Sequence, residues 1–122
     1  MSLGVVVVSH VPDIAAGIKT LLTQIAADVS ITIAGGTDDD EVGTSINKIQ
    51  RAFTENTADE LLAFYDLGSA KMNLEMAMDL SDKTIHLYNT ALIESAYTAA
   101  ALIQAGTDLA EIEAQLAPLK IK

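Results

Sequence analysis

The chain has no cysteine and no tryptophan among its 122 residues, only two prolines, and 7 basic residues against 17 acidic ones. Without cysteine there is no disulfide framework, no thiolate nucleophile and no thiolate metal site, a pattern expected of a cytoplasmic protein. The formal charge of −10 argues against nucleic acid or an anionic membrane surface as a ligand, because both repel it. Aromatic residues make up 4% of the chain, so the core must be assembled from Val, Ile, Leu, Ala and Met, which suits helices packed closely on a sheet. Long apolar runs are missing too. Leu3 to Val8 is too short for a membrane span and lacks the basic flank of a signal peptide, and the Ala-rich stretch from Thr90 to Gly106 is broken by Glu94, Ser95 and Gln104. The P-loop motif, the GxGxxG fingerprint and the GxSxG elbow are absent, so direct ATP hydrolysis, dinucleotide binding and esterase chemistry lose their usual signatures.

What is present is an apolar half of the sequence, enough for one domain over residues 1–122 with a substantial core. Residues 3 to 9, an apolar and mostly valine run, predict a strand covered on both faces, followed by His10 and the helix-opening Pro12-Asp13. Ile14, Ile18, Leu21, Leu22 and Ile25 recur at helical spacing and predict a helix from about Asp13 to Ala27. Val29, Ile31 and Ile33 alternate with polar residues, as at a sheet edge, before Gly35-Gly36. After the acidic loop Thr37 to Gly43, Thr44 or Ser45 caps a short helix through Ile46, Ile49 and Phe53. Leu61 to Tyr65 is a third strand, and the turn Asp66-Leu67-Gly68-Ser69 leads into a helix carrying Met72, Leu74, Met76, Met78 and Leu80, with Ser69 as its cap. Thr84 to Tyr88 alternates like a second edge strand. Helices from Leu92 to Gln104 and from an Asp108 cap through Leu116 complete the chain. Each strand is followed by enough chain for a right-handed crossover, so the expected fold is α/β, an open parallel sheet of order 2-1-3-4 with helices on both faces.

In such sheets ligands gather beyond the C-terminal strand ends, where neighbouring connections leave in opposite directions. Here that point lies between strands one and three, and the residues just beyond it are Ser9-His10 and Asp66. A carboxylate bonded to one imidazole nitrogen fixes the tautomer and leaves the other nitrogen as a nucleophile able to attack phosphorus. The positive ends of helices beginning near Val11, Thr44 and Ser69 would stabilise the charge on the transferred group. Plainer readings stand beside these. His10 can be a polar residue at a strand end, Asp66 a turn-former and Ser69 a simple cap. Asp38 to Glu41 lacks the ligand spacing of a calcium loop and reads as a solvated acidic loop; His86 reads as a surface residue, and Met72 to Met78 as packing material.

Val8-Ser9-His10, Gly35 through Asp39, Gly43-Thr44-Ser45, Asp66-Leu67-Gly68-Ser69-Ala70 and Ala91-Leu92-Ile93-Glu94 together resemble the mannose-type IIA family of the phosphotransferase system. The Asp-Leu-Gly-Ser-Ala segment narrows the resemblance to the phosphotransfer subunits of phosphoenolpyruvate-dependent dihydroxyacetone kinases, with Ala91 a departure where relatives often carry proline. The resemblance implies that His10 accepts a phosphoryl group from phospho-HPr and passes it to ADP on the kinase's nucleotide-binding subunit. It further implies that Asp66 pairs with His10, that Ser9, Thr44, Ser45 and Ser69 line the phosphoryl pocket, and that the protein is a homodimer. No cofactor of its own is implied, Mg-ADP and ATP belonging to the partner subunit, and the donor is a separate protein. Three other readings compete: a sugar-type IIA domain of the same system, a receiver-like signalling domain phosphorylated on Asp66, and a flavin-binding or purely structural module. A receiver needs an acidic pair after strand one to hold Mg²⁺, where this chain has Ser9-His10.

Overall fold

The computed structural model describes residues 2–122. The uninterrupted apolar run near the N-terminus forms β1 (Leu3–Ser9), and the second such run forms β3 (Glu60–Tyr65). The two pair in parallel at the centre of a four-stranded sheet of order β2-β1-β3-β4, with β2 (Ile31–Gly35) and β4 (Thr84–Tyr88) also parallel at the edges. This is the order expected from the half-polar character of the two outer strands. Alternation along the central strands divides their side chains between two cores. Val5, Val7, Leu62 and Phe64 face one layer; Val6, Val8, Leu61, Ala63 and Tyr65 face the other.

The first core is covered by α1 (Pro12–Ile25), α4 (Leu92–Gln104) and α5 (Leu109–Leu116), the second by α2 (Ile46–Glu55) and α3 (Ser69–Asp79). A short 3-10 turn, Ala117–Leu119, follows α5. Among the described residues, no helix is long and apolar enough to cross a membrane.

Several local readings are corrected. Helix α1 starts at Pro12 and stops at Ile25, and β2 begins at Ile31 and runs to Gly35. Ala26 leaves helical geometry and a turn closes from Val29 N–H to its carbonyl, which removes Val29 from the strand. The buried face of α1 is Ala15, Ile18 and Leu22, while Ile14 and Leu21 lie on its exposed flank. Helix α3 packs through Ala70, Leu74 and Ala77; Met72 and Met76 are exposed, and so is Leu80 just past the helix end. That inner face packs beside α2 in the second core, and the larger methionines turn outward. His86 bonds to Glu60 Oε2 through Nε2 at 2.6 Å and is only partly exposed, more engaged than a free surface residue.

The N-terminal end of α1 is pressed against the end of β2. A Cβ at Gly35 would stand 2.7 Å from Pro12 Cα, backbone that has no side-chain freedom to yield. Gly35→Ala is therefore expected to lower stability by about 1–3 kcal/mol, read as a lower urea midpoint at unchanged slope. Because Pro12 follows His10 by two residues, the same variant should also shift the His10 ring resonances.

Candidate phosphoryl-transfer site

Strands β1 and β3 end side by side, and their connections depart to opposite faces of the sheet, α1 to one and α3 to the other. The crevice so formed brings His10 and Asp66 together across 56 positions of sequence. His10 Nδ1 lies 2.8 Å from Asp66 Oδ1, and the two side chains are 14% and 17% exposed. Leu67 N–H donates to the same oxygen at 2.7 Å. The other oxygen, Oδ2, accepts from Ser9 Oγ and from His10 N–H, each at 2.9 Å. Both oxygens of the carboxylate are thus each bonded to two donors, and the main chain is held as well, through Asp66 N–H to Val8 C=O at 3.2 Å.

Burial is the largest single influence on Asp66 and pushes its pKa up. The hydrogen bonds from His10 N–H, the His10 ring, Ser9 and Leu67 N–H outweigh it together and hold the carboxyl below the ordinary aspartate value. An ionised carboxylate only accepts, so Nδ1 must carry the proton and donate to it. In the neutral ring, Nε2 then bears the lone pair. Ser69 Oγ lies 2.6 Å from Nε2, and with this tautomer the hydroxyl donates to the ring. The arrangement suits nucleophilic attack by Nε2, with Asp66 able to stabilise the positive charge that develops on the ring.

Ser69 is not the cap of α3. Gly68 occupies that position with helical dihedrals, so Ser69 is the first helical residue and its hydroxyl reaches His10. Ser9 likewise faces the site: besides its bond to Asp66, its Oγ accepts from Val11 N–H at 3.2 Å. Thr44 and Ser45 are held nearby by a different route. Gly43 N–H donates to His10 C=O at 2.9 Å, which ties the loop after β2 to the β1 end. Thr44 Oγ1 accepts from Asn73 of α3 at 2.7 Å, and Ser45 Oγ accepts from Lys48 N–H at 3.1 Å, capping α2. The hydroxyl hydrogen of Ser45 is donated to Asp38. Neither residue bonds directly to the His10 and Asp66 pair.

The acidic loop is more than a solvated run. Asp38 bonds Ser45 and Asn47, Asp40 pairs with Lys48, and Lys48 Nζ also donates to Gly35 C=O at 2.8 Å. Two of its four carboxylates therefore moor the loop to α2, although all four acidic residues are exposed. Lys48 and Asn73 were not singled out by sequence, since a lysine or asparagine on a helix carries no motif; the only cue was the scarcity of basic residues opposite an acidic loop.

Comparison with known proteins gives the family and the fold. The family model described as EIIA-man, PTS system fructose IIA component, matches residues 4–113. The chain is 45% identical over 122 residues, covering 100% of it and 99% of the relative, to the phosphotransferase subunit DhaM of PTS-dependent dihydroxyacetone kinase from Lactococcus lactis. It is 46% identical over 119 residues, 98% of this chain and 96% of the relative, to phosphoryl donor subunit DhaM of PEP-dependent dihydroxyacetone kinase 1 from Listeria innocua. Among solved structures, a crystal structure of a protein of unknown function superposes with a TM-score of 0.86 at 31% identity, covering 100% of this chain and 98% of the other. The central sheet, the site at its switch point and these relatives lead to one conclusion: the chain belongs to the EIIA-man family and, within it, to the phosphotransferase subunits called DhaM.

Proposed function

We propose that Nε2 of His10 accepts a phosphoryl group from the phosphohistidine of HPr and delivers it to ADP held by the nucleotide-binding subunit of a dihydroxyacetone kinase. The observation that carries this reading is the Asp66 carboxylate on Nδ1 of His10, which leaves Nε2 as the free nucleophile. In uptake, the Nε2 lone pair forms a bond to phosphorus as the donor's P–N bond breaks, and the bonding pair returns to the donor's imidazole. In delivery, a terminal phosphate oxygen of ADP forms the new bond, and the P–N pair returns to Nε2. The proton stays on Nδ1 throughout, donated in a hydrogen bond to Asp66, whose charge stabilises the cationic phosphoimidazole. Ser69, donating to Nε2 in the free protein, turns to donate to a phosphoryl oxygen, and the positive end of the α3 dipole, at whose first position Ser69 stands, favours the same charge. Phosphoryl transfer depends mainly on such positioning and charge stabilisation.

Phosphorylation of Asp66 in the manner of a receiver domain is disfavoured by its four hydrogen bonds, which leave its oxygens poorly placed as nucleophiles. A homodimer and a cytoplasmic location belong to the same proposal.

Incubation with phosphoenolpyruvate, enzyme I and HPr is expected to place one phosphoryl group on the peptide containing His10, labile in acid and stable in alkali. Addition of the two other kinase subunits, ADP and dihydroxyacetone should discharge it. A base-labile adduct on the peptide containing Asp66 would overturn the reading. Ser69→Ala is expected to slow uptake by about ten- to a hundredfold with little change in thermal midpoint, as measured by quench-flow labelling and calorimetry, because only a donor to the reacting nitrogen and phosphoryl group is lost.

A further inference from the structure

In a chain with 7 basic residues, one of them, Lys122, comes to rest at the back of the His10 and Asp66 site. Its Nζ donates to the carbonyl of Tyr65 at 2.7 Å and to the carbonyl of Asp66 at 2.9 Å, and stands 4.3 Å from the centre of the Tyr65 ring. The segment that brings it there crosses the end of β4. Ala91 N–H donates to Leu119 C=O at 3.0 Å, Thr90 and Lys120 form an antiparallel bridge, and the N–H groups of Ile121 and Lys122 donate to Asn89 C=O at 3.2 and 3.3 Å. Asn89 is itself held by Tyr65 Oη, which donates to Asn89 Oδ1 at 2.6 Å. The strap, Asn89, Tyr65 and the ammonium group thus close a ring around the last residue of β3.

This placement bears on the reacting pair in two ways. The main chain of Asp66 is gripped from both sides, by Val8 C=O on its N–H and by Lys122 on its carbonyl, so the carboxylate has little freedom to swing from Nδ1 of His10. The ammonium is also a positive charge beside an aspartate, on a residue that remains exposed. Desolvation pulls its pKa below the ordinary lysine value, and the Asp66 charge opposes that in part.

We propose that Lys122 is a positioning residue for phosphoryl transfer, clamping the β3–α3 turn so that Asp66 stays on Nδ1 of His10. Lys122 touches neither the reacting nitrogen nor the phosphoryl group; it acts through Asp66. The proposal rests on His10 being the phosphoryl carrier for its kinetic consequence, and on the structure alone for its effect on the tautomer.

The test compares wild type, Lys122→Met and Lys122→Arg in the full chain by two measurements. The first is the tautomer of His10 in the unphosphorylated protein, from nitrogen-15 shifts of labelled histidine. The second is the rate of phosphoryl uptake from phospho-HPr. Lys122→Met is expected to shift the population away from the Nδ1–H form and to slow uptake by about ten- to a hundredfold, while Lys122→Arg, which keeps the charge and the donors, recovers both to within about threefold. A Lys122→Met protein with wild-type shifts and wild-type rate would overturn the proposal. So would equal loss in Met and Arg variants with an unchanged tautomer, which marks a merely structural strap. If wild type takes up no phosphoryl group, the carrier reading fails, and the nitrogen shifts still decide whether Lys122 sets the tautomer.

Discussion

His10→Gln is expected to lose phosphoryl uptake altogether, to below about one part in a hundred of wild type, while the protein stays folded. The glutamine amide reaches the position of Nε2, one bond beyond Nδ1, so Asp66 loses the ring donor but keeps Ser9 Oγ, the main-chain N–H at position 10 and Leu67 N–H, and stability should fall by only about 1–2 kcal/mol. What the amide lacks is a basic lone pair able to form a P–N bond. Label transfer from phospho-HPr, counted on the intact protein by mass spectrometry, measures the first half of this expectation, and urea denaturation the second. His86→Gln is the matching control. His86 pairs with Glu60 at the start of β3, away from the switch point, and its replacement should leave uptake at the wild-type level. Undiminished labelling of His10→Gln would remove His10 from the chemistry.

Asp66→Asn is the second variant with a large expected effect, and the more informative one. Asparagine has nearly the shape of aspartate but offers an NH₂ group, which can satisfy His10 Nδ1 only as an acceptor. The proton then moves to Nε2, and the nucleophilic lone pair points at the wrong partner. A tautomer error of this kind costs on the order of 10³-fold or more in catalytic pairs of this type. With the NH₂ group at the Oδ1 position, Leu67 N–H loses its acceptor, so stability should fall by about 1–3 kcal/mol. Rate and stability are separable here through pH. Because the folded protein holds the Asp66 carboxyl below its ordinary value, the unfolded chain takes up that proton first on acidification. The stabilisation from Asp66 is therefore complete above the ordinary aspartate range near pH 4 and is lost as pH falls through the lower folded value. Urea curves for wild type and Asp66→Asn should stay separated by a constant gap from pH 7 to about pH 5 and converge in more acidic solution. A gap that widened on acidification would contradict the ionised carboxylate from which the tautomer is argued.

Much of the architecture was legible in the sequence because it follows from short-range patterns. Residues 3 to 9 and 61 to 65 are apolar on both faces and can only be central strands, and the two half-polar strands can only be edges. Helix ends and faces were less legible. Ile14 and Leu21 fit the spacing of a buried stripe as well as Ala15 does, and the small residue won because it faces the sheet at close range. The same choice of alanine over a larger side chain turned Met72 and Met76 of α3 outward. Ser69 looked like a cap by residue type. Whether a serine caps its own helix or reaches across to an imidazole depends on the dihedrals of Gly68, and those are set by the turn from β3, which no residue preference encodes.

By itself the sequence determined that this protein is a parallel α/β sheet with an imidazole and a carboxylate at its switch point, since apolar periodicity dictates strand order and strand order dictates which chain ends meet. Only the tertiary structure decided the state of that pair: which nitrogen bears the proton, which hydroxyl faces the other nitrogen, and which lysine arrives from the far end of the chain. Those are matters of direction and of distances near 3 Å between groups 56 to 59 positions apart, and hydrogen bonds of that reach are specified by the packed backbone rather than by any local pattern of residues.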